Sequence, residues 1–141
     1  MQKDRAEALE TLVQAMHRLT RDAALATGDN TPASARQILA LLNHSGEHRV
    51  GEIAAQLRMS QPGVTQALRA LLEAGLIERK ADTFDARASV IAITEAGRAS
   101  ASQWRSAVAD ALSPLTAGLS DADWEHIAAA AAILGSLAET R

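Results

Sequence analysis

Within residues 49–94 the hydrophobic period changes once, and that change restricts the fold more than any other feature of the chain. Val50, Ile53, Ala54 and Leu57 recur every three or four residues, as on one face of a short helix. The pattern restarts after a turn at Met59-Ser60 with Val64, Leu68 and Leu71. Ser60 suits the position before a helix, where its hydroxyl can accept a first-turn amide, and Pro62 suits the first turn itself. Gly75 supplies the left-handed residue that commonly stops a helix. Residues 76–80 and 89–93 are then β-prone and are joined by a polar loop, residues 81–88. Two short helices, a tight turn and a hairpin describe a helix-turn-helix with a wing. Such a shape sets one helix into the DNA major groove.

The flanks extend this plan. Ala6, Leu9, Val13, Met16, Leu19 and Ala23 form one apolar stripe over residues 4–26, which Gly28-Asp29-Asn30 interrupts. Thr31 is expected to cap a second helix with Pro32 in its first turn and Ala35, Ile38, Leu39 and Leu42 inward. Gly46 ends it. Thr94 is expected to cap a helix carrying Trp104, Val108, Ala111 and Leu112, which Pro114 should kink or end. Ser120 with Asp123 resembles a capping box. Trp124, Ile127, Ala131, Leu134 and Ala138 stripe a last helix.

The order predicted is α-α-α-α-β-β-α-α. The fold class is mainly α (α+β): a winged helix-turn-helix with a two-stranded wing and long terminal helices. With 141 residues the chain is one domain by length. A small winged module already has its own core, so stripes at both ends predict a second copy to bury them.

Composition excludes several alternatives. There is no cysteine, which removes disulfides, thiol redox sensing and a cysteine-based zinc site. No apolar run approaches the roughly 20 residues that span a bilayer. No signal-like segment is seen, so no membrane partner is expected and a cytoplasmic location is. The net charge of −3 argues against nucleic acid, but its distribution softens that objection. Residues 49–98 carry +1 and the remainder −4. Non-specific DNA binding should therefore be modest.

Helical geometry sorts the candidate site residues. From residue 61, steps of 100° place Val64, Leu68 and Leu71 inward and Pro62, Gln66, Arg69 and Glu73 outward. Gln61, Gly63 and Thr65 lie at the first turn, the end that usually meets base edges. Gln suits adenine, Arg suits guanine, and Thr suits a thymine methyl or a phosphate. Gly63 permits close approach, and Ser60 with the first-turn amides suits a phosphate. Glu73 is expected to be solvated or paired with Arg69. In the loop, Arg87 suits a minor groove, and Asp85 is expected to pair with an arginine and shape the wing. Lys80 is preferred to Arg79 as a strand-borne phosphate contact. Phe84, near the loop tip, either folds back on the strands or marks a contact.

His44 and His48 are four apart, but Ser45-Gly46 breaks the helix between them. No metal site and no cofactor are expected. Neither a phosphate-binding glycine loop nor a nucleophile elbow is present, so the chain is not expected to be an enzyme. Trp104 and Trp124 read first as core or interface residues. A metal-responsive regulator and a winged-helix protein-interaction module without DNA binding are the competing readings. The polar, small-residue face of residues 61–74 disfavours the second, because protein interfaces usually expose apolar or aromatic anchors.

The chain resembles the MarR family of bacterial transcription regulators over nearly its whole length. The resemblance lies in EIAAQLRMSQPGVTQALRALLEAGLIER, then DAR in the wing, ITEAGR opening the next helix, and LSDADW near the end. It implies one MarR-like domain, with residues 1–30 and 99–141 as dimerisation helices around a winged core of residues 31–98. A homodimer is implied, with a recognition helix of residues 61–74 in each major groove of a pseudo-palindromic operator. Arg87 matches the family's wing arginine and Asp85 its acidic partner. Repression relieved by a small-molecule effector is the implied mode. The effector cavity is implied between the dimerisation helices and the winged core, with His17 and Trp104 as candidates by position. When bound to DNA, such a bacterial protein would sit on the nucleoid.

Overall fold

The computed structural model describes residues 1–139; Thr140 and Arg141, the end of the last expected helix, lie outside the described residues. Helix α1 (Gln2–Ala26) leads into α2 (Ala33–Ser45), α3 (Val50–Leu57) and α4 (Gln61–Glu73). Strands β1 (Ile77–Ala81) and β2 (Ser89–Ile93) form an antiparallel pair, and α5 (Glu95–Thr116) and α6 (Asp121–Glu139) complete the order. The predicted succession of eight elements is therefore present, and the fold class is as expected.

The core sits where α2, α3 and α4 meet the sheet. Ile38, Leu42, Ile53, Val64 and Ile91 are fully buried, with Leu39, Leu68, Leu71 and Ile77 around them. All of the inward positions expected on α2, and Val64, Leu68 and Leu71 on α4, are buried. On α3, Ile53 and Ala54 are buried, while Val50 and Leu57 pack partly covered at the rim. Glycines with positive φ follow α2 at Gly46 (φ 81°) and α4 at Gly75 (φ 70°), where a residue with a Cβ would be strained.

Local details differ from expectation. Thr31 does not cap α2: Pro32 occupies the cap position with extended ψ, and no side chain caps this helix. Thr31 instead donates its amide (2.8 Å) and hydroxyl (2.6 Å) to Asp29 Oδ1, because Asp29 lies two residues back in a turn. Strand β1 starts at Ile77 rather than residue 76, and Ala81 pairs with Ser89. Leu76 serves the next helix instead, accepting the Thr94 amide at 3.1 Å. Pro114, expected to kink or end α5, lies two residues before its end at Thr116.

The start of α5 is fixed on the wing base. Thr94 Oγ1 donates to the Gly75 carbonyl (2.8 Å) and accepts the Gly97 amide (3.0 Å), so the predicted cap is in place. A Cβ on Gly97 would strike the Leu76 carbonyl oxygen and lie 2.6 Å from Ile93 Cγ1. Only glycine allows this helix to touch that backbone.

The outer helices pack differently. Helix α1 lies against α5, and only Ala23 on it is buried among the described residues. Helix α6 buries none of its described residues. Trp124, Ile127, Ile133 and Leu137 on α6, and Leu9, Val13, Met16 and Leu19 on α1, are exposed. The stripes foreseen at both ends are thus largely left open by the winged core of the same chain.

Candidate nucleic-acid interface

The candidate reading helix is α4, and its ends are set locally. Ser60 Oγ accepts the Gly63 amide at 3.1 Å, and Pro62 lies in the first turn. A Cβ at Gly63 would sit 3.0 Å from that Ser60 hydroxyl, so glycine also keeps the cap close. With Val64, Ala67, Leu68 and Leu71 buried, the opposite face presents Gln61, Pro62, Thr65, Gln66 and Arg69, all exposed. Gly63 is half-buried at its edge.

The turn before α4 carries a backbone feature that no local sequence signal marks. Arg58 closes α3 at φ 50°, ψ 42°, the only non-glycine residue with positive φ among those described. Left-handed geometry disfavours a residue with a Cβ by about 1–2 kcal/mol. Its amide bonds to Ala55 and that of Met59 to Ala54, which satisfies the end of α3.

The wing is a hydrogen-bonded loop. Asp82 Oδ2 accepts Arg49 Nε at 2.8 Å and also Arg49 Nη2, while its Oδ1 accepts the Phe84 amide at 2.9 Å. The Phe84 amide, then the Arg49 guanidinium, hold the Asp82 carboxyl below its ordinary range. Asp85 Oδ1 accepts the Arg87 amide at 3.0 Å, and the Asp85 carbonyl accepts that of Ala88. Asp82 closes the loop by donating its own amide to the Ala88 carbonyl. Asp85 therefore bonds backbone amides, and the arginine pairing expected of it falls to Asp82. Arg49 stands 33 residues away in sequence. That distance is why the pair could not be read from local spacing.

The basic residues divide into paired and unpaired. Lys80 lies 3.5 Å from both Glu47 and Glu78, so in the free protein it is held between two carboxylates. Arg79 donates to Ser89 Oγ at 3.1 Å and lines a cleft of about 280 Å³ with Thr65, Arg69 and Glu73. The structure thus sets Arg79, rather than Lys80, beside α4. Among the described residues, Arg58, Arg69 and Arg87 form no ion pair, and Glu73 is solvated instead of bound to Arg69.

The two residues named for a ligand site do not come together. Trp104 lines a cavity of about 90 Å³ with Asp29, Arg36, Leu39, Ser100 and Arg105, and the Arg36 guanidinium lies 3.1 Å from its ring centroid. Arg36 is anchored by the carbonyls of Thr31 and Asp29, both at 2.9 Å. His17 is exposed on α1, with Nδ1 3.3 Å from the Val13 carbonyl oxygen of its own helix, and lines no part of that cavity. His48 is buried: Nδ1 lies 2.8 Å from the Gly46 carbonyl oxygen, and its backbone bridges Ile91 beside the sheet.

A capped, polar-faced helix behind a tight turn, followed by an antiparallel wing, defines a winged helix-turn-helix protein. A family model described as the MarR family matches residues 33–89, which spans α2 to the first residue of β2. Three similar solved structures cover nearly the whole chain. A MarR family protein from Bacillus stearothermophilus is 18% identical with a TM-score of 0.75, over 99% of this chain and 96% of its own. The transcriptional regulator Tm0710 from Thermotoga maritima is 19% identical with a TM-score of 0.74, over 95% and 96%. The YusO protein from Bacillus subtilis is 22% identical with a TM-score of 0.65, over 99% and 96%. No curated protein matches the sequence. Residues 33–89 are thus similar in sequence to the MarR family, and the fold as a whole is that of these solved structures. No described helix is long and apolar enough to cross a membrane.

Proposed function

We propose that this chain is a MarR-type transcriptional regulator that binds a pseudo-palindromic site in double-stranded DNA as a homodimer. The observation that carries the reading is the exposed face of α4. It is polar, begins at a capped N-terminus, and carries an arginine with no ionic partner among the described residues. Gln61, Gly63, Thr65, Gln66 and Arg69 then read base edges in the major groove. Ser60 and Pro62 meet the phosphate backbone at the helix start. Arg87 enters the adjacent minor groove from a wing shaped by Asp85 and Asp82. Arg79 joins the phosphate contacts, and Lys80 reaches a phosphate only by leaving Glu47 and Glu78.

Dimerisation is supported by the apolar residues left uncovered on α1 and α6. In this division residues 1–30 and 99–141 join the copies, and residues 31–98 read DNA. Repression follows where the operator overlaps a promoter. An effector acts only if it binds one spacing of the two α4 helices better than another. The cavity beside Trp104 joins α2 of the winged core to α5 and is the place for such a ligand.

Selection of bound sequences from random duplexes, at two salt concentrations, tests the reading. An inverted repeat should be enriched, with affinity falling as salt rises. Arg69→Ala should weaken binding to the selected site by about 1–3 kcal/mol and relax one base position. Unchanged binding by the Arg69→Ala, Arg87→Ala double variant would overturn it.

A further inference from the structure

Phe84 is the only phenylalanine in a chain with two tryptophans and no tyrosine, and it stands 97% exposed at the end of the wing. It does not fold back on the strands. Asp82 holds it out: one carboxylate oxygen takes the Phe84 amide while the other is gripped by Arg49. Asp85 fixes the Arg87 amide three residues further on, so both side chains leave one hydrogen-bonded loop. A mobile exposed aromatic would carry little information. This one is presented by a loop whose backbone is tied at Asp82, Phe84, Arg87 and Ala88.

We infer that Phe84 is an apolar wedge for the DNA minor groove, acting beside Arg87 and conferring preference for a deformable base step. This role rests on the DNA-binding reading of α4 and the wing. Arginine is drawn by the negative potential of a minor groove, and an apolar side chain presented next to it meets sugar edges and the base step between them. Wedge residues partly unstack such a step and kink the duplex, which is easiest at pyrimidine–purine steps. Phe84 therefore reads flexibility where α4 reads hydrogen-bonding edges. Charge complementarity favours DNA as the occupant, since the neighbouring Arg87 has no ionic partner among the described residues.

The test compares native protein, Phe84→Ala, Phe84→Leu and Arg87→Ala on duplexes selected by the native protein. Phe84→Ala should fold as native, because the side chain is almost wholly in solvent. It should bind about tenfold more weakly with an unchanged salt slope, since no charge is lost, whereas Arg87→Ala should lower the slope by about one. Phe84→Leu should retain part of the affinity. Repeated selection with Phe84→Ala should lose enrichment of pyrimidine–purine steps flanking the half-sites, and end-to-end energy transfer should report a straighter duplex. Equal affinity and equal flanking preference in native and Phe84→Ala would overturn the wedge while Arg87→Ala still weakened binding. Absence of any duplex binding by the native protein would overturn wedge and DNA reading together, and would leave Phe84 as an anchor for a protein partner.

Discussion

The winged core and the outer helices spend their apolar residues in opposite ways. On α2, α3 and α4 the apolar stripe is closed off within one chain: Ile38, Leu42, Ile53 and Val64 have essentially no contact with solvent. On α6 apolar residues also recur at helical spacing, yet none of its described residues is buried. Periodicity alone therefore says that a helix has a face to hide, not what hides it. The core supplies its own cover because short connections fold its helices onto one another and onto the sheet. Helix α6 follows a turn at the far end of α5, where the same chain gives it little cover; the proposed second copy would.

Three variants sharpen that contrast, taken by their effect on the folded protomer. Ile38→Ala empties a site sealed by α3, α4 and the sheet, and should destabilise the protein by about 2–5 kcal/mol in urea or thermal unfolding. A loss under about 1 kcal/mol would mean that the core collapses around the cavity. Arg58→Gly changes sign: it relieves the left-handed strain before α4 and should raise stability by about 1 kcal/mol, partly offset by the freer unfolded chain. A destabilised variant would mean that the Arg58 side chain holds the turn through packing. Ile127→Glu with Ile133→Glu should shift protomer stability by only about 0.5 kcal/mol, as at other surface sites. The same pair should convert a dimer to monomer in sedimentation and abolish tight binding to an inverted repeat. A dimer that survived both glutamates would place the interface elsewhere.

The candidate reading surface divides along the same line. The α4 face was legible from helical spacing, since each outward residue follows from a 100° step and the cap from a serine and a proline at fixed positions. The strands, Gly75 and the Thr94 cap were legible for the same reason: their partners lie within a turn or across a short hairpin. Assignments within the wing were less legible. Asp85 was expected to meet an arginine side chain but bonds the Arg87 amide, because Arg49 reaches Asp82 instead. Glu47 lies beside Lys80, which local spacing does not display. Thr31 lost its cap role to a closer turn with Asp29.

The order of elements, their inward faces, most of their ends and the polar face of α4 follow from the amino-acid order. These depend on backbone propensity and on neighbours within about four residues, which the string of letters displays directly. Tertiary structure alone decided the Arg49–Asp82 clamp, the Arg36–Trp104 stack, the His48–Ile91 bridge and the glycine that α5 needs against Leu76. Each joins residues from separate elements. Their meeting depends on the angles and distances at which those elements pack, and no local pattern encodes either.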